Sequence, residues 1–107
     1  MIDEDEPTPT RPEVQERVED FLRHYPLAPP CRVTPDGNGG ADLYWKLPRR
    51  ELLINIPAPT GPAPYYGDDY GSDKRKGTFF EPEQAADLMQ WLQDGSVVPR
   101  EGQEMKP

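Results

Sequence analysis

The sequence is short of the residues from which most catalytic and metal centres are built. It has one cysteine, Cys31, and one histidine, His24. A lone cysteine excludes a disulfide within the chain and a cysteine-based zinc site. A proline-rich link separates His24 from Cys31, whereas a catalytic Cys–His pair needs hydrogen-bond reach and an orienting third group. Cys31 reads instead as a small buried hydrophobe. There is no G-x-S-x-G, P-loop or G-x-G-x-x-G pattern, so the familiar nucleophile and phosphate motifs are missing. No apolar run approaches the roughly 20 residues of a membrane span. The opening MIDEDEP is acidic and has no apolar centre, unlike a secretory signal. The expectation is a cytoplasmic protein without cofactor or metal that is not an enzyme. Carboxylates are abundant, which keeps a small carboxylate-based enzyme as an alternative.

An excess of positive charge is also missing. The net charge is −8. Residues 1–20 hold eight acids against Arg11 and Arg17, and the rest of the chain holds twelve acids and ten bases. The acidity is therefore mostly N-terminal and the body is close to neutral. Phosphate binding needs net basic surface, so non-specific duplex binding is not expected.

What the chain does have is a dense alternation of apolar residues in ADLYWKLPRRELLINIP, residues 41–57. Successive side chains of a strand face opposite ways. Ala41, Leu43, Trp45 and Leu47 then share one face, as do Leu52, Ile54 and Ile56. Asp42, Tyr44, Lys46, Glu51, Leu53 and Asn55 take the other. Pro48, Arg49 and Arg50 supply the reversal between two strands. Upstream, residues 31–34 suit an edge strand, and Asp36, Gly37, Asn38, Gly39 and Gly40 form a strong turn signal. Downstream, PAPTGPAP suggests an exposed polyproline-like stretch. Tyr65 and Tyr66 suggest a short strand, residues 67–77 a polar loop, and Thr78, Phe79 and Phe80 a closing strand.

Helices are expected at both ends. Val14, Val18, Phe21, Leu22 and Tyr25 fall on one stripe of a helix over residues 11–24. Pro12 suits its first turn, and Thr10 with Glu13 fits a capping box, although Arg11 before Pro12 is a competing cap. Ala85, Leu88, Met89 and Leu92 mark a second helix over residues 82–94, with Trp91 at the edge of its stripe, Gly95 placed to end it and Val97 and Val98 to fold back. The fold class is α+β: a small antiparallel sheet of four to five strands with both helices packed on one face. The domain is expected over residues 11–98, between disordered tails at 1–10 and 99–107.

Two further patterns point to sites. Tyr44 and Leu53 lie opposite the core, and alternation sends one of Tyr65 and Tyr66, and one of Phe79 and Phe80, to join them. Lys46 and Asn55 rim the patch. An apolar, aromatic patch with a polar rim is how protein-binding surfaces look. The leading expectation is thus a protein-interaction module of inhibitor, immunity or accessory type, binding through Tyr44, Lys46, Leu53, Asn55, Tyr65 and Tyr66; self-association is a further option. The second pattern is Lys74, Arg75 and Lys76 near Tyr70 and the other aromatics, the raw material of a single-stranded nucleic-acid or nucleotide site. Asp68, Asp69 and Asp73 counter that charge. Asp36, Asn38, Gly40 and Asp42 imitate the opening of a calcium loop, but Ala41 and Leu47 stand where glycine and a bidentate glutamate are needed, so a hairpin turn is expected.

Overall fold

The computed structural model describes residues 9–96. One sheet of five antiparallel strands runs in chain order, β1 (Arg32–Pro35), β2 (Ala41–Lys46), β3 (Glu51–Ile56), β4 (Ala63–Asp68) and β5 (Lys74–Phe79). Helix α1 (Pro12–His24) precedes it, and a 3₁₀ turn (Pro82–Ala85) leads into helix α2 (Ala86–Ser96) after it. Both helices bury their apolar stripes against one face of the sheet, in a single core cluster. This is the expected α+β layering.

The start of α1 shows local chemistry competing for the same residues. Arg11 precedes a proline, which disfavours helical backbone. It stays extended, at φ −74° and ψ 151°, and takes the N-cap position without a side-chain cap. The expected Thr10–Glu13 box does not form. The Thr10 hydroxyl donates to the Gly40 carbonyl at 3.1 Å and the Arg11 N–H to the Gly39 carbonyl at 2.9 Å. Glu13 pairs instead with Arg11 at 3.0 Å. The helix is thereby moored to the β1–β2 turn, and Thr10, expected in a disordered tail, is part of that mooring. Residues 1–8 and 97–107, including Val97 and Val98, lie outside the described residues. Along α1 the spacing works as expected: Val14, Val18 and Phe21 are buried, and Leu22 and Tyr25 pack at the margin.

The β1–β2 turn is closed by Asp36. Its Oδ1 accepts the N–H groups of Asn38 at 2.7 Å and Gly40 at 2.9 Å, the Asx geometry that makes Asp a turn residue. Strands β2 and β3 then pair from Ala41↔Ile56 to Lys46↔Glu51. Their inward side chains, Ala41, Leu43, Trp45, Leu52, Ile54 and Ile56, are buried. Trp45 meets the polar cost of burial by donating its indole N–H to the Pro29 carbonyl at 2.8 Å. At the β2–β3 reversal the Leu47 N–H reaches the Arg50 carbonyl at 2.7 Å.

The second half departs more from expectation. PAPTGPAP is not extended throughout: Pro59, Thr60, Pro62 and Pro64 are exposed, but the stretch bends at residues 58–60, contains a cis Ala58–Pro59 bond and enters β4 at the buried Ala63. Lys74, Arg75 and Lys76 are not loop residues but the first half of β5, paired with Asp68, Gly67 and Tyr66. Tyr65 faces the core, over Gly77, where a Cβ would come within 2.7 Å of the tyrosine oxygen. Phe79 faces the core as well, at 6.2 Å from Tyr65 between ring centroids and 5.4 Å from Phe21. Phe80 lies past the end of β5 and lines a cleft on the helix side with Arg17 and Phe21, so neither phenylalanine joins the open face.

At the other end of the sheet α2 lays Trp91 on Gly67, where a Cβ would meet the indole ring at 2.7 Å. Arg50 and Arg75 stack on the same ring, at 5.1 and 5.5 Å from its centroid, and Asp73 accepts its N–H at 3.1 Å. The helix entry is a capping box of Glu81 and Gln84. The helix runs through Gly95 to Ser96, so Gly95 does not end it.

Candidate functional site: the open face of the sheet

With both helices on one side, the other side of the sheet has no layer over it among the described residues. The register arranges its side chains in rows across the strands. The central row is Arg32, Tyr44, Leu53, Tyr66 and Lys76, each directly opposite the next. It reads cation, aromatic, aliphatic, aromatic, cation. Leu53 is 41% and Tyr66 44% exposed, while Tyr44 is half-buried.

The row beside it, toward the β2–β3 turn, is Lys46, Glu51, Asp68 and Lys74. Its charges answer one another. Lys74 pairs with Asp68 at 3.0 Å. Glu51 Oε1 accepts the hydroxyl of Tyr44 at 2.7 Å and that of Tyr70 at 3.5 Å, and Lys46 donates to the Tyr70 hydroxyl at 3.3 Å. Lys46 also stands 5.3 Å from the Tyr70 ring centre. Tyr70 reaches this row because its backbone is left-handed, at φ 65°, with its N–H bonded to Asp68 at 2.7 Å. These bonds set the titration of the row. The hydrogen bond to the Glu51 carboxylate raises the Tyr44 hydroxyl above its ordinary value. The bond to Tyr70 raises Lys46, and the Lys74 ammonium lowers Asp68.

On the opposite flank Asn55 joins two acids. Its amide nitrogen donates to Asp36 at 2.9 Å and to Asp42 at 3.0 Å. That amide, with the N–H groups of Asn38 and Gly40, holds the Asp36 carboxyl below its ordinary range. The residues that imitate a calcium loop are thus engaged in closing a turn. Among the described residues no three His, Cys, Asp or Glu side chains gather as a metal site. Cys31 is half-buried, and burial raises its thiol.

Of the residues singled out in the sequence, Tyr44, Lys46, Leu53, Asn55 and Tyr66 share the open face, and Tyr65 does not. Lys74, Lys76 and Tyr70, read as a separate site, lie on the same face. Arg75 alternates to the other side, where it pairs with Asp73 at 3.1 Å beside Trp91. Arg32 and Glu51 also lie on this face, although nothing in the sequence marks them as site residues. Alternation from Val33 bears on Arg32, but β1 is too short for a pattern to stand out.

The chain matches no protein-family model, no curated protein and no solved structure.

Proposed function

We propose that this protein is a non-enzymatic interaction module, of inhibitor, immunity or accessory type, that binds a protein partner through the open face of its sheet in a cytoplasmic setting. The observation that carries the reading is the central row: Tyr44, Leu53 and Tyr66 adjoin one another across three strands and have no cover from the described residues. Such a surface combines an apolar, aromatic centre with a polar margin, the composition of recognition patches. The hydrogen bonds of Tyr44 and Tyr70 to Glu51 hold the margin in place before any partner arrives, which reduces the ordering cost of binding. No helix of the described residues is long and apolar enough to cross a membrane.

The test is a paired affinity capture with the full chain and with Tyr44→Ala/Leu53→Ala. A protein recovered in near-equal amount by the parent and lost with the variant, at unchanged circular dichroism, is the expected result. Equal recovery by both chains would remove the reading.

A second reading rests on the meeting of Lys74, Lys76, Tyr66 and Tyr70 on one face, the elements of a stacking surface for single strands. It predicts binding of an oligothymidylate with affinity that falls steeply as salt rises.

A further inference from the structure

Resting on the protein-binding reading, we propose that the occupant of the open face is an amphipathic helix of the partner. It lies across the strands with its apolar stripe on Tyr44, Leu53 and Tyr66 and a carboxylate at each end, meeting Arg32 and Lys76.

The charges of the face select this occupant. Lys74 and Asp68 are paired, and Lys46 and Glu51 are linked through Tyr70. Asp42 and Asp36 are bound by Asn55. The side chains of Arg32 and Lys76 have no hydrogen bond or ion pair among the described residues. Arg32 and Lys76 are thus the two cations of the face without a side-chain partner, at the two ends of the apolar row, while Asp42 and Asp36 keep their charge because the Asn55 amide is neutral. Four inter-strand spacings separate them, about 19 Å. At about 1.5 Å of rise per residue that is roughly 13 helical residues.

Backbone chemistry selects a helix over an extended segment. The sheet's main-chain groups on β2, β3 and β4 are used in ladders on both sides. Between its ends the row offers an aliphatic side chain, two rings and two phenol hydroxyls, of which that of Tyr44 is already bonded to Glu51, too few to pair the main chain of a strand. A segment lying there must satisfy its own N–H and C=O groups, as a helix does. A second copy of this chain does not supply that helix from its described residues, because the apolar stripes of α1 and α2 are already buried. A polynucleotide fits less well. Its phosphates recur at every nucleotide, and Asp42, Glu51 and Asp68 stand in the flanking rows, about 7 Å along each strand from the centre.

The experiment is selection from a displayed library of random 18-residue peptides on the immobilised full chain, followed by affinity measurement for the enriched peptides. The expected peptides carry an apolar stripe at helical spacing with acids about 13 residues apart. Leu53→Asp abolishes their binding. Arg32→Glu/Lys76→Glu weakens it by about tenfold or more, and lysines in place of the peptide's end acids restore it on that variant. Peptides that lose binding with Leu53→Asp but ignore the charge reversal would overturn this occupant and leave the protein-binding face intact. Enriched peptides that all ignore Leu53→Asp would overturn both. So would a selection that enriches nothing, or an oligothymidylate that binds the face more tightly than any peptide. Self-association that Leu53→Asp abolishes would replace the helix with a second copy.

Discussion

Leu52 and Leu53 are neighbours in one strand and of one residue type, yet Leu52 is 0% and Leu53 41% exposed. Tyr65 and Tyr66 repeat the contrast one strand over. The two faces of the sheet thus set the same chemistry to different tasks. On the helix side, shape decides: Trp91 fits because residue 67 lacks a side chain, and Tyr65 because residue 77 does. On the open side, no layer of the described residues packs over the side chains, and their polar groups are arranged among themselves. Burial separates the side chains that pack this core from those left uncovered on the open face by the described residues.

The comparison is broken most directly by treating the two leucines alike. Leu52→Ala should cost about 2–5 kcal/mol, since it opens a cavity between β3 and the helices. Leu53→Ala should stay within about 0.5 kcal/mol of the parent, as surface substitutions do. Urea unfolding followed by tryptophan fluorescence measures both, and equal costs would show that the open face is part of the core. Gly67→Ala comes next. The added methyl meets the Trp91 ring, and the expected loss is about 1–3 kcal/mol, whereas an alanine that is tolerated would show that α2 can ride away from the sheet.

A smaller effect lies in acid. The folded-state carboxyl of Asp36 sits below its ordinary value of 3.8. The stability this contributes is fully present above that value and is lost as pH falls through the lower folded one. Asn55 is the largest cause of the shift, so the stability gap between the parent and Asn55→Ala should narrow as pH falls below 3.8. Denaturation at a series of pH values measures it, and a constant gap would refute the assignment. The smallest effect is spectroscopic. Tyr44 should ionise above 10.0 in the parent and closer to it in Glu51→Gln, read as the ultraviolet titration lost in Tyr44→Phe. Coincident titrations would mean that the hydroxyl does not rest on Glu51.

The legibility of the chain follows the same division. Residues 41–56 could be read because one face is apolar and the other mostly is not, so period two stands out. Strand β5 could not. Lys74, Arg75, Lys76 and Gly77 carry no apolar alternation, because at a sheet edge even the inward residue can be Arg75, whose guanidinium stacks on Trp91. Tyr65 and Tyr66 could not be told apart locally, since either phase satisfies alternation; pairing with Gly67 and Gly77 settles it. The helix starts went opposite ways. Thr10 has the capping chemistry but is drawn to Gly40, while Glu81 lacks the usual cap hydroxyl and still closes a box with Gln84. As for the open face, its Tyr44–Leu53 centre was visible in the sequence, but the cations at its ends come from β1 and β5, the two strands whose patterns are weakest.

The strand order carries one more consequence, for how the molecule breathes. Each strand pairs only with its neighbours in the chain, so the sheet is a ladder with β3 as its middle rung. An amide of β3 is shielded by strands on both sides and by a core beneath. β1 has four residues, all exposed, and one edge that no strand of the described residues covers. Deuterium should therefore enter β1 through small local openings and reach β3 only when the whole domain opens. The slowest-exchanging amides would fall near the centre of the sequence, and protection would decline from there toward both ends.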